Sequence, residues 1–183
     1  MRRSISRESS TPDKGYIDSR AAAIAAINRM SAELDARLDA AADGMNDVIA
    51  LLADIPVRSR FITLTCLSDG TVGIYYSSGE KLPRIGRSGK RLSPAGKLLL
   101  SRLGIIAHRC DTVQSVDSIE TAGIGNAKNT RVYFRCRDGL RKAEYDMEHV
   151  DECGDDIRSL DTMIKDLLQM IRRSKERDRK SVV

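Results

Sequence analysis

Tryptophan is missing from the 183-residue sequence, and aromatic residues make up only 4% of it. Hydrophobic residues still amount to 41%, so the sequence predicts either one domain or a small domain with helical appendages, with a core built mainly from aliphatic side chains. No apolar run approaches the roughly 18 residues that a membrane-spanning helix needs. The basic N-terminus is not followed by the apolar segment of a secretory signal. We therefore expect a cytoplasmic protein with no membrane partner.

Histidine is also scarce, which limits the chemistry that the chain can offer. Its two histidines, His108 and His149, do not lie beside a plausible nucleophile. Together with Cys110 and Cys153 they supply the right types of zinc ligand, but the spacing matches none of the usual zinc motifs. The four cysteines are expected to be reduced thiols in core or helix positions. The sequence thus predicts no enzyme, no metal site and no cofactor.

A regular apolar repeat is the most conspicuous feature that is present, and it runs through residues 18–55. With Ile24 at heptad position a, the a and d positions are Ile24, Ile27, Ser31, Leu34, Leu38, Ala41, Met45, Val48, Leu52 and Ile55. This 3-4 spacing is typical of a long helix whose narrow apolar stripe is covered by another helix. A second repeat predicts a C-terminal helix with Ile157, Leu160, Ile164, Leu167 and Ile171 on one face.

Two Asp-Gly pairs between β-rich runs predict two hairpins. The first joins residues 61–67 to 72–76, and the second joins 130–137 to 140–145. In the first hairpin, the expected register places Phe61 on the same face as Val72 and Ile74. Both faces of that hairpin are partly apolar, so we expect each face to be covered.

Ser93 and Pro94 between the hairpins predict a helix start, with serine as N-cap and proline in the first turn. The predicted helix covers residues 94–103 and ends at Gly104. Residues 105–107 are then expected to add a short strand.

Together these elements predict an α+β fold. Long terminal helices form an antiparallel coiled coil, and a small antiparallel β head of two hairpins holds one short helix. The predicted segments are a disordered basic arm at 1–15, a coiled-coil helix at 16–55, a basic β-rich head at 56–149, a second coiled-coil helix at 150–174 and a charged tail at 175–183. Because the first helix outruns the last, its uncovered end predicts a homodimer.

The distribution of charge points to a function more than the net charge of +5 does. Residues 81–102 carry seven positive charges and no acid, and residues 131–142 carry five against Asp138. The segments 33–54 and 144–161 are acidic instead. A basic head of this kind is typical of a nucleic-acid surface. The predicted phosphate contacts are Arg84, Arg87, Lys90, Arg91, Lys97, Arg135 and Arg137.

These observations predict a non-enzymatic protein that binds DNA or RNA with its head and dimerises through its helices. One alternative is a structural or adaptor subunit that assembles with partner proteins through the coiled coil and the head. Another is that the basic head docks on the acidic helices of a second copy. The sequence leaves both alternatives open.

Overall fold

The computed structural model describes residues 12–37, 48–57, 60–78, 93–121 and 128–180. The described residues contain three α-helices, a six-stranded antiparallel sheet and one 3-10 turn. The helices are α1 (Lys14–Arg37), α2 (Pro94–Arg109) and α3 (Asp155–Lys180), with the 3-10 turn at Val150–Glu152. The strands are β1 (Val48–Val57), β2 (Arg60–Leu67), β3 (Val72–Tyr76), β4 (Gln114–Val116), β5 (Thr130–Cys136) and β6 (Gly139–Tyr145).

The strand order across the sheet is β3-β2-β1-β5-β6-β4, so β1 is an inner strand with a partner on each side. Leu51 lies opposite Cys66 in β2 and Phe134 in β5. Because side chains alternate along a strand, neighbouring residues of β1 point to opposite faces of the sheet. Both faces are apolar along this strand, and residues 48–55 are all buried.

Helices α2 and α3 cover one face, which we call the α2/α3 face. Buried side chains of β1, β2, β5 and β6, such as Leu51, Leu64 and Phe134, pack there with Leu103 of α2 and Leu160 of α3. Helix α1 covers the other face, which we call the α1 face. There Ile24 and Ile27 form a smaller cluster with further apolar residues: Ala50, Leu52, Ile119, Tyr133 and Leu140.

The predicted terminal coiled coil is wrong, although the chain does mix helices and strands. Residues 48–55 belong to strand β1 rather than to the end of a long helix. Helices α1 and α3 lie on opposite faces of the sheet, so neither can cover the other. The apolar stripe of α3 from Ile157 to Ile171 is buried as predicted, but its partners are the sheet and α2.

The heptad pattern wrongly predicted a helix here because residues 48–53 are all apolar. A continuous apolar run satisfies a helical period and is equally typical of a strand buried on both faces. Pro56 fits near the end of β1 because the pairing with β5 stops at Asp54, so its missing N–H leaves no bond unmade on that side. The predicted heptad positions 38, 41 and 45 lie outside the described residues.

Both predicted hairpins are confirmed, with β2 paired to β3 and β5 paired to β6. Gly70 in the first turn and Gly139 at the start of β6 have positive φ angles of 91° and 141°. The register predicted for the first hairpin is wrong, since Cys66 pairs with Val72 and Leu64 with Ile74. Phe61 consequently lies on the α1 face, where it packs against Tyr16.

Helix α2 begins as predicted, because the Ser93 hydroxyl accepts a hydrogen bond from the backbone N–H of Gly96 at 3.2 Å. Its predicted end at Gly104 is wrong, and so is the strand predicted at 105–107, because the helix continues to Arg109. A glycine inside a helix costs about 1 kcal/mol relative to alanine. Burial of Ile106 and Ala107 in the last turns outweighs this cost.

Candidate functional site

The predicted nucleic-acid contacts fall into three groups. Arg84, Arg87, Lys90 and Arg91 lie outside the described residues. Lys97 lies on α2 and its side chain is exposed. Arg135 lies on β5 between Phe134 and Cys136, and Arg137 follows in the turn to β6.

Lys97 and Arg135 do not share a surface. Phe134 and Cys136 point to the α2/α3 face, so Arg135 between them points to the α1 face. Lys97 belongs to a helix that packs on the α2/α3 face. The sheet therefore lies between these two predicted contacts, and they belong to different surfaces.

Ion pairs occupy much of the positive charge of the second hairpin. Arg131 Nη1 lies 3.0 Å from Glu120 Oε2, and Lys142 Nζ lies 2.7 Å from Glu120 Oε1. Glu144 is a second partner of both cations. These bonds raise the pKa of Lys142 above its ordinary value, although burial opposes the shift. The hairpin is thus less basic than its sequence suggests.

Helix α2 keeps more of its positive charge available. Its sixteen residues include no acid, and both Lys97 and Arg102 are exposed. Within the described residues neither has an ion pair, whereas Arg109 in the last turn pairs with Asp156 of α3. Leu98 and Ile105, which lie seven residues apart on the same helix, are also exposed, by 57% and 48%.

A buried polar network anchors α1 to the sheet. Arg20 donates from Nε to Asp54 Oδ1 at 3.0 Å and from Nη2 to Asp54 Oδ2 at 2.6 Å, and its Nη1 donates to the Glu120 carbonyl at 2.7 Å. The Thr63 hydroxyl donates to Asp54 and is itself bonded to the Tyr16 hydroxyl at 2.7 Å. Burial raises the pKa of Tyr16 to about 12. With its polar groups paired in this way, the network fits a structural role.

Three metal-ligand types meet where α2 ends beside the turn between β5 and β6. One ligand atom each from His108, Cys136 and Asp138 lies within 4.8 Å of the others. Cys136 is buried, while the side chains of His108 and Asp138 are 17% and 39% exposed. We call these three residues the His-Cys-Asp cluster.

The hydrogen bonding within the His-Cys-Asp cluster is incomplete. His108 Nε2 is buried and has no hydrogen-bond partner in the described part of the chain. His108 Nδ1 lies 3.7 Å from Asp138 Oδ2, which is too long for a hydrogen bond. Asp138 Oδ2 accepts a hydrogen bond from Arg141 Nη2 at 2.7 Å. Burial raises the pKa of the Cys136 thiol to about 11.

Sequence reasoning considered a different set of ligands and missed this one. Cys110 Sγ is bonded to the Thr112 hydroxyl at 3.0 Å, and His149 pairs with Asp146. Among the described residues, these two do not form a ligand cluster with Cys153. The only sequence signal for this cluster is that Cys136 and Asp138 lie two residues apart at a predicted hairpin turn. No spacing rule connects these two residues to His108.

Comparison of the chain with protein-family models, with curated proteins and with solved structures gives no match. No helix among the described residues is long and apolar enough to cross a membrane.

Proposed function

We propose that this protein is a non-enzymatic, cytoplasmic nucleic-acid-binding protein whose contact surface is centred on the exposed side of α2. The observation that carries the proposal is the absence of acidic residues from α2, together with exposed Lys97 and Arg102. The segment that leads into this helix adds Arg84, Arg87, Lys90 and Arg91. Clustered cations of this kind attract the phosphate backbone of DNA or RNA.

Two features make α2 a better contact surface for nucleic acid than the second hairpin. Arg131 and Lys142 are already paired with Glu120 and Glu144. A phosphate that bound these cations would have to compete with carboxylates that are already in place. Arg135 points to the opposite face of the sheet, so it would contribute to a separate surface.

The test is a titration of labelled duplex and labelled single strand with the protein across a salt series. Each neutralised phosphate releases counterions, so log affinity should fall against log salt by about 0.9 per contact for duplex and about 0.7 for single strand. We expect about four to six contacts. Replacing Arg87, Lys90 and Arg91 with alanine should flatten the slope by about two to three and weaken binding to all sequences alike.

A matched pair of variants locates the surface. Lys97→Ala/Arg102→Ala removes two charges from α2, and Arg135→Ala/Arg137→Ala removes two from the hairpin. We expect the first pair to weaken binding and to reduce the salt slope by about two, with little effect of the second. The reverse ranking would place the surface on the hairpin. Absence of binding at low salt in the unaltered protein would refute the nucleic-acid function.

A second candidate is a structural or adaptor subunit that binds a partner protein. Exposed Leu98 and Ile105 favour it, because residues seven apart lie on one side of a helix and large exposed apolar side chains are typical of contact surfaces. The homodimer loses its original basis with the coiled coil, but Leu98 and Ile105 offer another contact surface for it, and sedimentation at micromolar concentration measures self-association. Leu98→Ser/Ile105→Ser should abolish self-association through this surface and leave the salt slope for nucleic acid unchanged.

A further inference from the structure

We infer that the His-Cys-Asp cluster of His108, Cys136 and Asp138 is a binding site for one divalent transition-metal ion, with Zn²⁺ as the best-matched ion. This site is separate from the proposed nucleic-acid surface and does not depend on it. It combines residues from the end of α2, the end of β5 and the following turn. Three features support the assignment: the donor set, the lack of hydrogen bonds at His108 and the accessibility of the site.

The donor set selects the class of metal. An imidazole nitrogen, a thiolate and a carboxylate oxygen suit Zn²⁺, whereas Ca²⁺ and Mg²⁺ prefer oxygen ligands alone. A thiolate and a carboxylate together carry two negative charges, which balance a divalent cation. Three protein ligands leave the fourth position of a tetrahedral ion for water.

In the described part of the chain, neither ring nitrogen of His108 has a hydrogen bond that would compete with a metal ion. A buried polar atom without a hydrogen bond costs about 1–3 kcal/mol and calls for an explanation. His108 Nε2 is such an atom, while the other ring nitrogen faces Asp138 beyond hydrogen-bond distance. A metal ion between His108 and Asp138 would bond to Nδ1, the nitrogen that faces the carboxylate, and Nε2 would then carry the ring proton.

The cluster is also accessible from solvent, and Arg141 beside it affects how strongly the cluster would bind a metal ion. Asp138 is 39% exposed, so an ion can enter from solvent past this carboxylate. Arg141 competes for the same carboxylate through its bond to Oδ2. A carboxylate has lone pairs on both oxygens, so it can bind a metal while it keeps Arg141. Binding then releases the Cys136 proton, since the thiolate is the ligand form.

The experiment is a titration of the reduced full-length protein with Co²⁺, which reports on the ligands through its absorption spectrum. A thiolate-to-cobalt charge-transfer band that saturates at one ion per chain, and is displaced by Zn²⁺, is the expected result. His108→Gln and Asp138→Asn should each weaken Co²⁺ binding about tenfold or more. Arg141→Gln should strengthen it, because a competing cation is gone.

One cysteine variant and one histidine variant serve as matched controls. Cys110→Ser removes a thiol two residues from His108, and His149→Gln removes the other histidine, yet neither residue belongs to the cluster. Both should bind Co²⁺ like the unaltered protein. Circular dichroism and urea unfolding without metal identify any variant that is not folded. Absence of the charge-transfer band in the unaltered protein, or equal loss of binding in Cys110→Ser and Asp138→Asn, would overturn the assignment.

Discussion

Arg20 carries a permanent charge and is nevertheless only 2% exposed. Two bonds to Asp54 and one to the Glu120 carbonyl offset its loss of hydration. Buried ion pairs are weak evidence of net stability, but removing one partner leaves an unpaired charge in the interior. The pair therefore makes the position of α1 on the sheet specific.

The first prediction concerns variants that remove Asp54, the partner of the buried Arg20 charge. Asp54→Ala should lower the free energy of unfolding by about 3–5 kcal/mol, measured by urea denaturation. Arg20→Met/Asp54→Leu should lose less than the sum of the two single variants, because it leaves no charge behind. Arg109→Met is the control, since the Arg109 side chain is 61% exposed in its pair with Asp156.

The control variant should stay within about 1 kcal/mol of the unaltered protein, as exposed pairs usually do. If Asp54→Ala lowered the free energy of unfolding no more than Arg109→Met, water would have to reach Arg20, and the burial of this pair would be contradicted.

Among the secondary-structure elements, β3 contains a glycine, Gly73, whose lack of a side chain allows close packing against β2. A Cβ added at Gly73 would lie 2.7 Å from the Thr65 hydroxyl oxygen on β2 and 2.7 Å from the Tyr75 hydroxyl oxygen. Real Cβ atoms do not approach other atoms so closely. Gly73 therefore makes room on the α1 face for the Tyr75 ring.

The second prediction compares serine at two glycine positions. Gly73→Ser should lower the free energy of unfolding by about 1–3 kcal/mol, because the neighbouring side chains must shift. Gly154→Ser is the matched control, since a Cβ at Gly154 meets no atom within 4 Å. The Gly154 carbonyl accepts the first bonds of α3, so serine there can act as an N-cap and should be neutral or slightly stabilising. Equal destabilisation in urea would contradict the packing of β3.

At the scale of the whole molecule, both faces of the sheet belong to the interior. Leu51 and Leu52 are adjacent in β1 and each is 0% exposed, yet the first packs under α2 and α3 and the second under α1. Two separate helical layers thus depend on one strand. This arrangement predicts that the described domain unfolds as one cooperative unit.

The third prediction tests that cooperativity. Leu51→Ala and Leu52→Ala should each lower the free energy of unfolding by about 2–5 kcal/mol, since each leaves a cavity in a packed layer. Val57→Ala, at the 40% exposed end of the same strand, should cost about 1 kcal/mol or less. Urea curves followed by circular dichroism should keep the same slope in all three variants. A mild Leu52→Ala would show that α1 does not form a tight layer.

Local patterns determined much of the secondary structure. Each Asp-Gly turn predicted its hairpin because residues in such turns need special backbone angles. Ser93 predicted the start of α2 because its hydroxyl satisfies an N–H that the helix itself leaves unpaired. The apolar stripe of α3 predicted which residues are buried, but the predicted cover, the first helix, is wrong, because the sheet and α2 cover the stripe.

Only the tertiary structure decided the role of β1 and the location of candidate chemistry. Residues 48–53 fit a helical and an extended reading equally well, and the pairing with β2 and β5 selects the strand. That choice places α1 and α3 on opposite faces and Arg135 away from Lys97. The same long-range pairing brings Cys136 and Asp138 to His108, although the sequence between residues 108 and 136 shows no metal motif. Sequence determines local backbone preference, whereas contacts between distant residues depend on which strands pair.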